Sequence, residues 1–243
     1  MKTADIIFNS EKENPNPVVE TGLTRLDEAG FLREGKVTLL AGRPAMGKTM
    51  FASNIAAYLL SKDEEVCYVS FENSAKMTIE KVLATGNTTE EKLRNLYIED
   101  DPGSNMRARA LFDRIKEECP NVKLIIIDYI QLIGSEVIQW IYDAFPKAAI
   151  LILSQASRAA ESRPGHAVEL SDIKDIGFIT PYLYNISYIY RDEYYHPASE
   201  EDTTTLIVNM RNREGMSLRK KGYSLSNNEY EYPEEFEDLE TGM

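Results

Sequence analysis

With 243 residues and a net charge of −13, the chain is long enough to bury one substantial core, and its acidic balance argues against a uniformly basic face for a polyanionic partner. Its two cysteines, Cys67 and Cys119, match no metal-ligand spacing, and a chain of this length needs no disulfide framework, so reduced, buried thiols are expected. No run reaches the ~18 apolar residues of a membrane span, and the opening MKTADIIFNSEKENPNP lacks the apolar segment of a signal peptide, which makes the cytoplasm the expected compartment.

Residues 1–20 are polar, carry two prolines and read as a lead-in. From there the pattern is α/β. Strands are expected at 37–41, 66–70, 96–99, 123–128, 149–154, 185–190 and 204–209, with helices at 48–62, 74–84, 104–118 and 135–145. The apolar runs Leu124-Ile125-Ile126-Ile127 and Ile150-Leu151-Ile152-Leu153 suit central strands covered on both faces. Helices between strands imply a mainly parallel sheet whose ligands lie beyond the carboxyl ends of the strands. The late strands, with little helix between them, suggest a small antiparallel extension. One domain over 21–226 is expected, followed by an acidic, solvated tail over 227–243; within it Glu229 to Glu240 holds seven acidic residues and no basic one. Just before the tail, Arg211, Arg213, Arg219, Lys220 and Lys221 face only Glu214 and form a local basic edge.

The most specific signal is Gly42-Arg43-Pro44-Ala45-Met46-Gly47-Lys48-Thr49, which satisfies GxxxxGK[S/T] between a strand and a helix. In that context backbone N–H groups and the positive helix end converge on the phosphates of a nucleoside triphosphate, and Gly42 and Gly47 are expected to permit an approach that a Cβ would block. Lys48 is then expected at the β- and γ-phosphates, and Thr49 at Mg²⁺. Met50 follows in the same helical turn and completes the candidate nucleotide-binding stretch.

Three polar residues follow apolar strands at the same expected edge. Asp128 has the placement of a Walker B carboxylate holding Mg²⁺ through water, although a strand-end Asp alone also caps turns. Glu72 follows Val66–Ser70, where a carboxylate can orient and deprotonate an attacking water; it reads equally well as a surface residue ahead of a helix capped by Asn73 or Ser74. Gln155 puts an amide where the γ-phosphate is sensed, or is a turn residue. His166 and His196 have no companion ligands, so nothing supports a zinc site. Of the late tyrosines Tyr182, Tyr184, Tyr188, Tyr190, Tyr194 and Tyr195, those within 185–190 are expected in the core rather than as base-stacking platforms.

Taken in order, TGLTRLDEAGFLREGKVTLLAGRPAMGKTMFASNIA, VSFENS, IIIDYIQLI, LSQASR, LSDIKDIG, YIYRDEYY and LIVNMRNREG resemble the RecA-like ATPase domain of the bacterial and phage DnaB-type hexameric replicative helicases, from about Thr21 to Tyr223. The resemblance implies that Lys48, Thr49 and Asp128 bind Mg-ATP, that Glu72 is the catalytic base, and that Gln155 couples the γ-phosphate to DNA-binding loops. It also implies that Arg211 is an arginine finger supplied to a neighbouring subunit, a group worth about 10³ to 10⁵ in rate in well-studied NTPases. Single-stranded DNA and a ring of identical subunits are the implied partners.

The sequence also departs from the family. The N-terminal helical domain that contacts primase has no counterpart in these residues, so the resemblance gives no ground for primase binding. Gln155 follows Asp128 by only 27 positions, so one of the two DNA-facing loops is expected to be largely missing. The second is expected near Lys174-Asp175-Ile176-Gly177, and Asn209 stands where the family has a second trans-acting Lys. Two functions therefore follow: a DnaB-like ATPase motor, or an ATP-dependent protein switch that keeps the pocket without threading DNA. A recombinase or clock-type RecA relative fits the fold but explains LSQASR and NMRNREG less well.

Overall fold

The computed structural model describes residues 16–100, 105–128, 135–166, 168–173, 176–195, 205–212, 221–222 and 230–231. Seven strands form one sheet: β1 Val37–Gly42, β2 Val66–Ser70, β3 Leu96–Glu99, β4 Leu124–Asp128, β5 Ala149–Gln155, β6 Leu183–Arg191 and β7 Thr205–Asn212, in the spatial order β3-β2-β4-β5-β1-β6-β7. All neighbours pair parallel except β6 with β7. Two-residue strands β8 Lys221–Gly222 and β9 Tyr230–Glu231 pair separately. The expected α/β class with an antiparallel extension is what forms.

The helices are α1 Thr24–Glu28, α2 Lys48–Ser61, α3 Ala75–Ala84, α4 Asn105–Glu118, α5 Ser135–Ala144, α6 Ile176–Ile179 and α7 Asp192–Tyr195. They cover both faces, and alternation along each strand feeds two cores. On one face Ile125, Ile127, Ile150 and Ile152 pack with Phe112 and Ile115 of α4 and Ile138 and Ile141 of α5. On the other, Leu124, Ile126, Leu151, Leu153 and Tyr68 pack with Phe51, Ile55 and Leu60 of α2, Val82 of α3 and Leu26 of α1. This two-sided burial is why β4 and β5 are apolar at successive positions. Cys67 and Cys119 are free and buried, and burial raises both thiols, Cys119 to about 12.

Ends differ from expectation where side chains intervene. The helix expected at 74–84 starts at Ala75, because the Ser74 hydroxyl accepts the Met77 N–H at 3.3 Å as its cap. The strand expected at 185–190 runs from 183 to 191, its pattern obscured by fully buried Asn185 and Ser187. Asn185 donates to the Phe31 carbonyl at 3.3 Å and accepts from Ser187 at 3.2 Å, which lets both polar side chains sit in the sheet. The end of the lead-in also packs: Val19 is fully buried, and Val18 bridges to Arg33.

Candidate functional site

β1 ends at Gly42 against Gln155 of β5, and β4 ends at Asp128 beside Ser70 of β2. The carboxyl ends of four neighbouring parallel strands thus meet at one edge, where the chain turns through residues 43–47 into α2. Ala45 and Gly47 both take positive φ, 66° and 92°, and Gly47 caps α2. A Cβ on Gly47 would meet nothing within 4 Å, so glycine is used there for its backbone conformation, with open space before it. Gly42 differs from expectation: a Cβ there would lie 2.6 Å from Ile189 Cγ2 and 3.2 Å from the Ile189 carbonyl. Its demand comes from β6 packing against it.

Inside this turn the Lys48 ammonium donates to the carbonyls of Gly42 at 2.9 Å and Arg43 at 3.0 Å. Burial lowers it to about 8, with Asp128 and Glu72 acting in the opposite sense. Thr49 Oγ1 donates to Asp128 Oδ2 at 2.9 Å. Asp128 is 2% exposed, and burial raises its carboxyl, reinforced by Glu72 and opposed by the Thr49 hydroxyl, Lys48 and Lys81. Glu72 is exposed in the bend after β2; its charge acts on both Lys48 and Asp128, and the Phe71 N–H bonds the Asp128 carbonyl at 2.7 Å, tying that bend to the site. Gln155 is half-buried in register with Gly42. Thus Gly42, Lys48, Thr49, Glu72, Asp128 and Gln155 come together as expected. Arg43 and Gly47 are half-buried, while Pro44, Ala45 and Met50 are exposed at the turn and first helical residues. Met46 is not: its side chain is 1% exposed in the core beside α2, leaving its main chain to face the turn.

Arg211 does not join them. It lies in β7 opposite Ile186, which pairs with Leu39, three residues before the end of β1. Because β7 runs antiparallel, it ends at Asn212 beside Asn185, toward the amino-terminal edge of the sheet. Asn209 pairs with Ser187; Arg213, Arg219, Lys220, Lys174 and His196 lie outside the described residues, and Gly177 is exposed in α6. Tyr188 and Tyr190 are buried, as expected of residues within 185–190, and Tyr184, just outside that range, is buried as well. Tyr195 stacks on His166 at 3.8 Å.

Several site neighbours carried no usable signal in the sequence. Arg43 Nε donates to Glu161 at 2.8 Å and its Nη1 to the Ala156 carbonyl at 2.9 Å, joining the turn to the segment after β5 across more than a hundred residues. Tyr68 hides inside an ordinary strand pattern, yet its hydroxyl is 3.4 Å from Asp128 Oδ2. Lys81 donates to Asn73 Oδ1 at 2.7 Å, and the Asn73 N–H bonds Ser70 Oγ at 2.9 Å.

The donor set at the turn, a hydroxyl and a carboxylate converging beside an ammonium with open space before Gly47, fits a Mg²⁺-bound polyphosphate: hard oxygen ligands for the cation, N–H and ammonium for the anion. The family model described as the DnaB-like helicase C-terminal domain matches residues 18–101 and 146–222. Asp128 falls between the matched stretches, so its placement rests on its contact with Thr49. The chain is 32% identical over 239 residues to the replicative DNA helicase DnaC of Bacillus subtilis (strain 168), covering 81% of this chain and 52% of the relative. It is 31% identical over 241 residues to the replicative DNA helicase DnaB of Geobacillus stearothermophilus, again 81% and 52%. A solved DnaB-like replicative helicase, described with its interactions with primase, superposes with a TM-score of 0.68 at 24% identity, covering 88% of this chain and 63% of that one. The chain spans about half the length of the curated relatives it matches. With two thirds of its length matched by the family model, the chain belongs to the family of DnaB-like helicase C-terminal domains.

Proposed function

We propose that the chain hydrolyses ATP as the motor unit of a DnaB-type replicative helicase, acting in the cytoplasm on single-stranded DNA within a ring of like subunits. The observation that carries this reading is the 2.9 Å contact between Thr49 and Asp128 beside the Lys48 ammonium, at the strand edge reached by Glu72 and Gln155. Thr49 and Asp128 would hold Mg²⁺, Asp128 through water. When bound, Mg²⁺ neutralises phosphate charge and favours in-line displacement. Lys48 leaves its own loop carbonyls for the β- and γ-phosphates, exchanging neutral acceptors for anionic ones. N–H groups of residues 43–49 hold the remaining oxygens.

Glu72 orients a water and takes its proton as the water oxygen bonds the γ-phosphorus and the bond to the β–γ bridging oxygen breaks, yielding ADP and phosphate. Its exposure at the strand edge lets such a water reach it. Gln155, on the strand that continues through Ala156 to the segment held by Arg43, passes the loss of the γ-phosphate outward. Arg211 serves a neighbouring subunit. DNA contacts are few on so acidic a chain, so binding is weak and falls steeply with salt as counterions are released.

Role separation gives the test. Lys48→Ala should abolish ATP binding in calorimetric titration, whereas Glu72→Gln should bind ATP and release no phosphate. Undiminished binding by Lys48→Ala overturns the nucleotide reading; unchanged turnover in Glu72→Gln removes Glu72 as the base.

A further inference from the structure

Asp128 Oδ2 accepts two hydroxyls from two different elements, Thr49 Oγ1 of α2 at 2.9 Å and Tyr68 OH of β2 at 3.4 Å. Among the described residues no donor meets Oδ1. A single donor would leave the carboxylate free to rotate about that contact; a second, arriving from the sheet, restricts that rotation. Tyr68 is well built for this. It is fully buried in the core between β2, β4 and α2, one strand over from Asp128, where an apolar side chain would serve packing alone. A phenol in that slot must find a polar partner, and the partner it finds is Asp128.

A second observation points the same way. Ser53, one turn along α2 from Thr49, is fully buried, and its hydroxyl lies beside the Tyr68 phenol without a well-formed bond to it. Two hydroxyls, from Thr49 and Tyr68, thus meet one carboxylate oxygen, and a third, from Ser53, lies behind the phenol. A serine so placed in an otherwise dry core is a polar group ready to meet a small movement of the phenol.

We propose that Tyr68 is a positioning residue that orients the Asp128 carboxylate for Mg²⁺. This rests on the reading of the site as a Mg-nucleotide pocket. Fully buried beneath Asp128, Tyr68 acts only through that carboxylate, so its removal should weaken metal-dependent binding and nothing else.

The test is the Mg²⁺ concentration that half-saturates ADP binding, measured by calorimetry on the whole chain, beside ADP binding in EDTA and the thermal midpoint in EDTA. Tyr68→Phe should raise the Mg²⁺ midpoint about three- to tenfold, the net worth of one hydrogen bond, and leave metal-free ADP binding unchanged. In an Asp128→Asn background the same change should shift the midpoint no further. An unchanged midpoint in Tyr68→Phe, with or without a lower thermal midpoint, reduces Tyr68 to packing and overturns the inference. So does an additional shift in the Asp128→Asn background, because Tyr68 would then act by another route. Wild-type protein whose ADP binding ignores Mg²⁺ would sink the functional reading itself, an outcome distinct from either.

Discussion

Gly42 meets a packing demand as well as the chemical one proposed for it. The motif demands glycine for the phosphates, but in this fold the first obstacle to a side chain is Ile189 on β6, 2.6 Å from where a Cβ would stand. Gly42→Ala should therefore destabilise the nucleotide-free protein, by about 1–3 kcal/mol as overpacking does. Trimming the obstacle with Ile189→Ala should cost less in the Gly42→Ala background than in wild type, as urea unfolding of the four proteins would show. Additive costs would mean that the clash is relieved elsewhere. The residues proposed for the chemistry were legible because each punctuates a pattern: glycine, lysine and threonine between strand and helix, and Glu72, Asp128 and Gln155 just after apolar runs. Tyr68, Ser53 and Glu161 were not legible. A tyrosine within a strand, a serine within a helix and a glutamate within a polar turn each look ordinary until distant strands bring them to the same edge.

At the scale of elements, the stretch from Ala156 to Ile173 carries no long helix or strand, yet it is firmly tied. Its ends bridge each other, and the Ser157 N–H bonds the Asp172 carbonyl at 2.8 Å. The buried Asp172 carboxylate gathers the Glu169 N–H at 2.8 Å, the Ser157 hydroxyl at 3.2 Å and a two-pronged contact from Arg163. Burial pushes that carboxyl up, but Arg163 and the N–H and hydroxyl donors together more than offset it, so it lies below its ordinary value of 3.8. A depressed carboxylate contributes stability that is present above the unfolded value and is lost as pH falls through the folded one. Asp172→Asn should thus cost about 1–3 kcal/mol near neutrality. The gap to wild type should close below about pH 4. Amide exchange over 157–173 and unfolding at both pH values test this; a gap independent of pH would rule out the ion pair as its source. The long strands and helices were readable from periodicity alone. This segment was not, because its order comes from side-chain bonds between residues nine and fifteen apart, a spacing that leaves no periodic trace.

At the scale of the whole molecule, the antiparallel turn of β7 decides what Arg211 can do. Arg211 stands opposite Ile186, level with Leu39, two strands from β1 and three residues short of Gly42. With strands ~4.8 Å apart and ~3.3 Å of rise per residue, its backbone is about 10 Å across and about 10 Å down the sheet from its own phosphate turn, and at the far side of β6. β7 thus ends at one edge of the sheet while Asp128 and the glycine turn gather at the other. An arginine so placed serves a nucleotide best when the next subunit brings its own strand edge alongside, as a ring of identical chains would. Mixing Arg211→Ala protein with Lys48→Ala protein should then restore part of the ATPase activity that each lacks, since some interfaces pair an intact turn with an intact arginine. The recovered rate should peak near equal proportions and follow the fraction of mixed neighbours. If the two proteins co-assemble by light scattering and their mixture stays as inactive as either alone, while wild type turns over, the subunit-bridging role is lost and Arg211 is a surface residue of an edge strand.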